Sequence, residues 1–161
     1  MKEILRLLEK DARFTPKQLA AMTGEPQRKV EEYIAAAEAD GTLLGYSAIV
    51  DWDKVESDND TVTALIEVKI SPQRGDGFDR IAERIYQYEE VESLYLMSGA
   101  FDLAVFMTGR TMKDVSHFVF ACLAPIEGVT ATATHFIMKK YKEKHRIFEK
   151  QEEQEDRLLF V

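Results

Sequence analysis

The chain has one cysteine in 161 residues, Cys122, so it holds no internal disulfide and no zinc site built on paired cysteines. Histidine is almost as scarce: His117, His135 and His145 stand at no spacing that would hold a metal ion. Four prolines and eight glycines are too few for a low-complexity chain. No apolar run approaches the roughly 20 residues that a membrane-spanning helix needs. Met1-Lys2-Glu3-Ile4-Leu5-Arg6 is broken by charge where a signal peptide would be apolar. The expectation is a cytoplasmic protein with no membrane partner and no cofactor. Cys122, inside Phe118-Val119-Phe120-Ala121-Cys122-Leu123, reads as a small buried hydrophobe.

Positive charge is also short. A formal net charge of −8 argues against a polyanionic partner for the chain as a whole. The charge is uneven, however. Residues 1–50 carry seven Lys and Arg against eight Asp and Glu, so the deficit lies almost entirely in the later part. Lys139 to Lys150 is basic, and Glu152-Glu153-Gln154-Glu155-Asp156 follows at once. Such blocks read as solvated faces of a terminal helix or tail.

The first forty-six residues hold three short helices and an extended segment. Ile4, Leu5 and Leu8 form one apolar stripe over roughly residues 2–11. Thr15-Pro16 with Gln18 three residues after Thr15 is an N-cap, a proline at the first helical position and a capping-box partner. The second helix runs to about Met22 and turns at Gly24. The third starts with Pro26 in its first turn, places Val30, Tyr33, Ile34 and Ala37 on one face, and closes at Asp40-Gly41. Leu43 to Val50 reads as a strand or wing, so residues 1–54 are assigned to a winged helix-turn-helix domain.

Residues 55–60 are polar and turn-rich, and serve as a linker. Beyond them, strands are expected at 61–70, 91–97, 103–108 and 129–138, and helices at 78–88 and 112–123. This β-α-β-β-α-β order is the ferredoxin-like arrangement of an α+β chain, with both helices on one face of the sheet. It occupies residues 61–142, and residues 143–161 form a charged tail. The uncovered sheet face predicts dimerisation. Arg74-Gly75-Asp76-Gly77 lacks a third glycine and a preceding nucleotide-binding unit, so it reads as a turn with Asp76 capping the next helix. Met97, Met107, Met112 and Met138 read as core filler, and Tyr46 and Trp52 as packing between the domains. Arg157-Leu158-Leu159-Phe160-Val161 reads as a segment that docks on a neighbouring subunit.

Two readings compete for the third helix. Its exposed face carries Arg28, Glu32, Ala35 and Ala39, and its first turn carries Gln27, Arg28 and Lys29. The alanines permit close approach, Gln and Arg suit base edges, and first-turn amides favour phosphate. Arg13, Thr15 and Lys17 add phosphate candidates around the second helix. Double-stranded DNA is the implied partner. The plain structural alternative is a small trihelical domain whose Arg28 and Glu32 simply pair at i, i+4.

Three segments are similar to the Lrp/AsnC family of transcription regulators: LAAMTGEPQRKVEEYIAAAEADGTLLGY with Val30, Ile34, Glu38, Gly41, Gly45 and Tyr46; MSGAFDLAVF with Gly99 and Asp102; and GVTATATHFIMKKYK with Gly128, Val129, Thr132 and Thr134. The resemblance spans nearly the whole chain. It implies a DNA-binding regulator rather than an enzyme, with a winged helix-turn-helix and a ligand-sensing RAM domain. It also implies a homodimer or octamer and a small effector, typically an amino acid. By resemblance the effector site is Ser98, Gly99, Ala100, Phe101 and Asp102 together with Thr132 and Thr134, at a subunit interface. Glu31 and Glu32 depart from the basic residues common in the family. Two alternatives stay open: a tetrapyrrole decarboxylase on the same two domains, for which His117 and His135 are the second domain's only histidines, and a sensing module that has lost DNA binding.

Overall fold

The computed structural model describes residues 2–55, 61–71 and 77–148. The chain divides into two compact units, Met1–Val50 and Asp51–Val161. The division precedes the expected boundary at 54/55. Trp52–Lys54 forms a single 3-10 turn, and the Lys54 ammonium donates to the Phe148 carbonyl, which ties this turn to the second unit.

In the first unit α1 is Lys2–Lys10, α2 is Pro16–Thr23 and α3 is Gln27–Ala39. Ile4, Leu8, Leu19 and Val30 form its core, with Leu7, Phe14, Tyr33, Ile34 and Leu43 packed around them. The capping box at Thr15 and Gln18 is present, and Gly24 closes α2 in the left-handed region at φ 72°. Pro26 stands one position outside the expected helix start: it is the N-cap of α3, with extended ψ of 137°. The expected strand or wing at Leu43–Val50 is a correction. It belongs to no sheet, because no described strand supplies the ladder partner that extended backbone needs. Tyr46 is half exposed, and its hydroxyl donates to Glu38 Oε1 at 2.8 Å, which pins the segment to the end of α3.

In the second unit β1 is Val62–Ile70, α4 Gly77–Tyr86, β2 Val91–Leu96, β3 Leu103–Gly109, α5 Met112–Phe118 and β4 Val129–Phe136. After α5 the helix continues as one π turn, Val119–Leu123, instead of running on as regular helix to residue 123. The sheet order is β2-β3-β1-β4, with every neighbour antiparallel. The α+β, ferredoxin-like reading therefore holds. Strand alternation explains the core: Ala64, Ile66, Val68 and Ile70 of β1 meet Ile81 and Ile85 of α4, Val115 and Phe118 of α5, and Leu123. No described helix covers the other face. There Leu65 stands opposite Phe106 and His135, Glu67 opposite Ala104 and Ala133, and Lys69 opposite Ala131.

The last described stretch is not a tail. Lys142–Glu143 (β5) and Arg146–Ile147 (β6) pair as a hairpin around Lys144-His145. Of the four methionines assigned to the core, Met107 is buried. Met97, Met112 and Met138 are exposed: Met112 opens α5, and Met97 and Met138 lie just past the ends of β2 and β4. Trp52 is also exposed. The readings of Asp76 as a cap and of Arg157–Val161 as a docking segment, and most of the linker, lie outside the described residues.

Candidate nucleic-acid interface and effector loop

The capping box that starts α2 uses both polar groups of Thr15. Its amide donates to Gln18 Oε1 at 2.9 Å, and its Oγ1 accepts from the Gln18 amide at 3.3 Å. Arg13 grips Asp11 with two bonds, Nε to Oδ1 at 3.0 Å and a terminal nitrogen to Oδ2 at 2.8 Å. That hydrogen bonding, with the attraction between the charges, raises the Arg13 pKa above its ordinary value. Lys17 is exposed and has no carboxylate partner among the described residues.

The first turn of α3 presents Gln27, Arg28 and Lys29, all exposed as the helical period requires. Each is held by a carboxylate four positions away. Gln27 Nε2 donates to Glu31 Oε1 at 2.7 Å, Arg28 Nε to Glu32 Oε1 at 2.8 Å, and Lys29 Nζ to Glu25 Oε2 at 2.8 Å. The Lys29 hydrogen bond, then its charge, holds the Glu25 carboxyl below its ordinary range. The Arg28–Glu32 pair is solvent-facing, at 89% and 64% side-chain exposure. Exposed i, i+4 pairs contribute about 0.3–0.5 kcal/mol. A phosphate or base edge of comparable strength can therefore displace the carboxylate. Pro26 supplies no side-chain cap, and its carbonyl accepts from the Lys29 amide at 3.0 Å, which leaves the Gln27 and Arg28 amides to an anion. The Gln27–Glu31 and Lys29–Glu25 pairs escape the sequence reading, although the spacing that reveals Arg28–Glu32 reveals them too.

The effector candidates form two groups. Ser98, Gly99 and Ala100 are exposed in the β2–β3 turn, with Phe101 and Asp102 half-buried beside them. A Cβ built on Gly99 would meet nothing within 4 Å, so its backbone is open to a ligand. Asp102 has a structural task. Its Oδ2 accepts from the Ile70 amide at 2.7 Å, its own amide donates to the Val68 carbonyl at 3.0 Å, and its carbonyl accepts from the Met97 amide at 2.8 Å. The carboxylate thus takes up the Ile70 amide, two residues beyond Val68, where the β1–β3 register ends. Thr132 and Thr134 stand opposite Val68 and Ile66, on the helix-covered side of the edge strand. Val68 also stands opposite Leu103, so β1 separates Thr132 from the strand that Asp102 begins. Two strand spacings amount to about 9–10 Å. One chain does not bring the loop and the threonines together. A cleft of ≈ 350 Å³ lies elsewhere, between α4 and β2, lined by Phe78, Ala82, Tyr86, Leu94 and Leu96 among others.

His117 lies on α5, which covers one face of the sheet, whereas His135 lies on the other face, 3.2 Å from Glu67. The two histidines share no pocket. No metal-binding cluster of His, Cys, Asp or Glu occurs among the described residues. None of the described helices is long and apolar enough to cross a membrane.

The family model described as the Lrp/AsnC ligand binding domain matches residues 63–147. The uncharacterized HTH-type transcriptional regulator YugG of Bacillus subtilis is 46% identical over 147 residues, covering 91% of this chain and 88% of that protein. The leucine response regulatory protein of Mycobacterium tuberculosis superposes with a TM-score of 0.72 at 20% identity, covering 91% and 95% of the two chains. A transcriptional regulator of Neisseria meningitidis, solved as a complex with L-methionine, superposes with a TM-score of 0.67 at 24% identity, covering 87% and 88%. At these identities the structural likeness shows a shared fold.

Proposed function

The chain belongs to the Lrp/AsnC family of HTH-type transcriptional regulators, and on that premise we propose that it binds specific DNA sequences through α3 and adjusts that binding to a small amino-acid effector. The relatives are regulators and not enzymes, which removes the decarboxylase reading. One observation carries the proposal: the exposed first turn of α3, where Gln27, Arg28 and Lys29 stand together beside uncapped amides.

Recognition begins when DNA replaces the three carboxylates. Arg28 and Gln27 exchange Glu32 and Glu31 for base edges, and Lys29 exchanges Glu25 for a phosphate. Lys17 needs no exchange and contributes phosphate affinity directly. Each exchange costs a weak ion pair or, for Gln27, a hydrogen bond, so one copy of α3 binds weakly and a pair of copies is needed. The uncovered sheet face supports self-association, with Leu65, Phe106 and Tyr95 supplying apolar surface on that side. A dimer formed there carries two recognition helices, and higher assemblies such as octamers carry more. The effector binds the open Ser98–Asp102 loop, where the second Asp102 oxygen can accept from an α-amino group. Thr132 and Thr134 then belong to the same site through a second copy. An effector that favours one assembly geometry shifts the spacing of the paired helices.

Selection of bound sequences from a random DNA pool, with and without a panel of amino acids, tests this. The expected product is a palindrome whose enrichment changes with one amino acid. Absence of enrichment overturns the proposal. That outcome would favour a sensing module without DNA binding, a reading that the three carboxylates on the Gln27, Arg28 and Lys29 side chains support.

A further inference from the structure

The side chains assigned to DNA are short of free positive charge. Arg13, Arg28 and Lys29 are each paired with a carboxylate, which leaves Lys17. The densest cationic stretch of the chain lies elsewhere. Residues 139–146 hold five Lys and Arg against one carboxylate, in a chain of net charge −8. That carboxylate, Glu143, is taken by Lys140 at 3.3 Å. Lys142 and Lys144 therefore have no carboxylate partner among the described residues, and both are exposed.

The hairpin holds these cations in a fixed geometry. Lys142 pairs with Ile147 and Glu143 with Arg146, so the turn has two residues. Lys144 and His145 occupy it with φ of 42° and 68°. Two-residue turns of this hand favour Asn-Gly, because both central residues need positive φ. A lysine and a histidine at these positions set the local conformational preference against the turn and place two donors at its tip. Tyr141 and Ile147 beside them are also exposed, so the surface is cationic with apolar neighbours rather than evenly solvated.

We propose that the β5–β6 hairpin is a second DNA-contacting surface, which holds the phosphate backbone through Lys142, Lys144 and His145 without reading bases. This inference rests on the DNA-binding reading above. The acidic surface of another copy of this chain is the competing occupant. DNA is favoured because it offers dense, regularly spaced charge to cations that have no local partner, and because α3 alone brings little uncommitted charge to phosphate.

The test uses the full chain carrying Lys142→Gln, Lys144→Asn and His145→Gly. The last two substitutions install residues that suit the turn, so the hairpin is retained while its cations are lost. Affinity for operator and random duplex DNA is measured against salt, alongside Arg28→Ala and the unaltered protein. The expected result is a log–log salt slope shallower by about 0.9 per lysine removed in each DNA-bound protomer. The loss should be equal on operator and random DNA, whereas Arg28→Ala should weaken operator binding selectively. An unchanged slope with intact DNA binding by the unaltered protein overturns the hairpin assignment alone. A fall in assembly mass by sedimentation, with the slope per bound protomer unchanged, overturns it in favour of a contact between copies. Failure of the unaltered protein to bind any DNA removes both this inference and the reading beneath it.

Discussion

Replacing Asp102 with alanine deletes the acceptor of the Ile70 amide, 2.7 Å from Oδ2 in a part-buried position. The backbone bonds of residue 102 to Val68 and Met97 do not depend on the side chain and should survive. What is lost is one hydrogen bond to a charged acceptor, with an amide left unsatisfied at the end of a central strand. Such a loss costs about 1.5–3 kcal/mol. At roughly 4 °C per kcal/mol for a unit of this size, the melting temperature should fall by about 6–12 °C. Asp102→Asn keeps a neutral acceptor at the same place and should lose about half as much. Thermal unfolding of both variants gives the magnitude, and hydrogen exchange at the Ile70 amide gives the location. A melting temperature of the alanine variant within about 1 °C of the unaltered protein, with Ile70 exchange unchanged, refutes the structural role. The asparagine variant also separates two tasks of one side chain. Effector binding that vanishes in a protein of near-normal stability points to the free oxygen, and effector binding that persists leaves Asp102 as a strand terminator.

Three further outcomes follow from the geometry. Glu32→Gln removes the anion that holds Arg28, a pair contributing about 0.3–0.5 kcal/mol, and should tighten operator binding roughly twofold per half-site in fluorescence anisotropy; equal or weaker binding counts against competition between Glu32 and DNA. Gly128→Ala places a Cβ 2.8 Å from Ile81 Cδ1 at a φ of +95°, and should cost about 1–3 kcal/mol in denaturant unfolding; an unchanged midpoint refutes the strain. The Glu25 carboxyl is held below its ordinary range by Lys29, so the stability it lends is complete above that range and lost as pH falls through its lowered pKa. Lys29→Ala should move the Glu25 titration, followed by carboxyl NMR, back up toward the ordinary value, and an unmoved titration counts against the pair.

The sequence is most legible where one local rule acts without competition. Thr15, Pro16 and Gln18 announce α2 because a capping box is complete within four residues. The alternation of Ala64, Ile66 and Val68 announces β1 because one face of the sheet is covered. Legibility ends where a partner decides. Leu43–Val50 has the composition of a strand but no neighbour to pair with among the described residues. Lys142–Ile147 has the charge of a tail but folds back, across a turn whose residues give no Asn-Gly signal. At the candidate sites the residue types are visible and their commitments are not. The aspartate suited to an amino group already serves the Ile70 amide. Thr132 and Thr134, close to the loop by family resemblance, lie across β1 from it, because strand order is set by long-range pairing that a linear pattern does not contain.

The central place of β1 has a consequence for the order in which the second unit can form. β1 is the first strand of that unit to leave the ribosome, yet its pairing with β4 joins Ala64 to Phe136. The helices of the first unit close through contacts between neighbours in sequence and can form early. β1 must wait with one edge open while α4, β2, β3 and α5 are synthesised, and its Leu-Ile-Glu-Val core is the kind of strand that a second nascent chain can capture. Any truncation ahead of Phe136 makes that waiting state permanent, so shortened forms of this protein should be sought beyond the last sheet strand rather than within it.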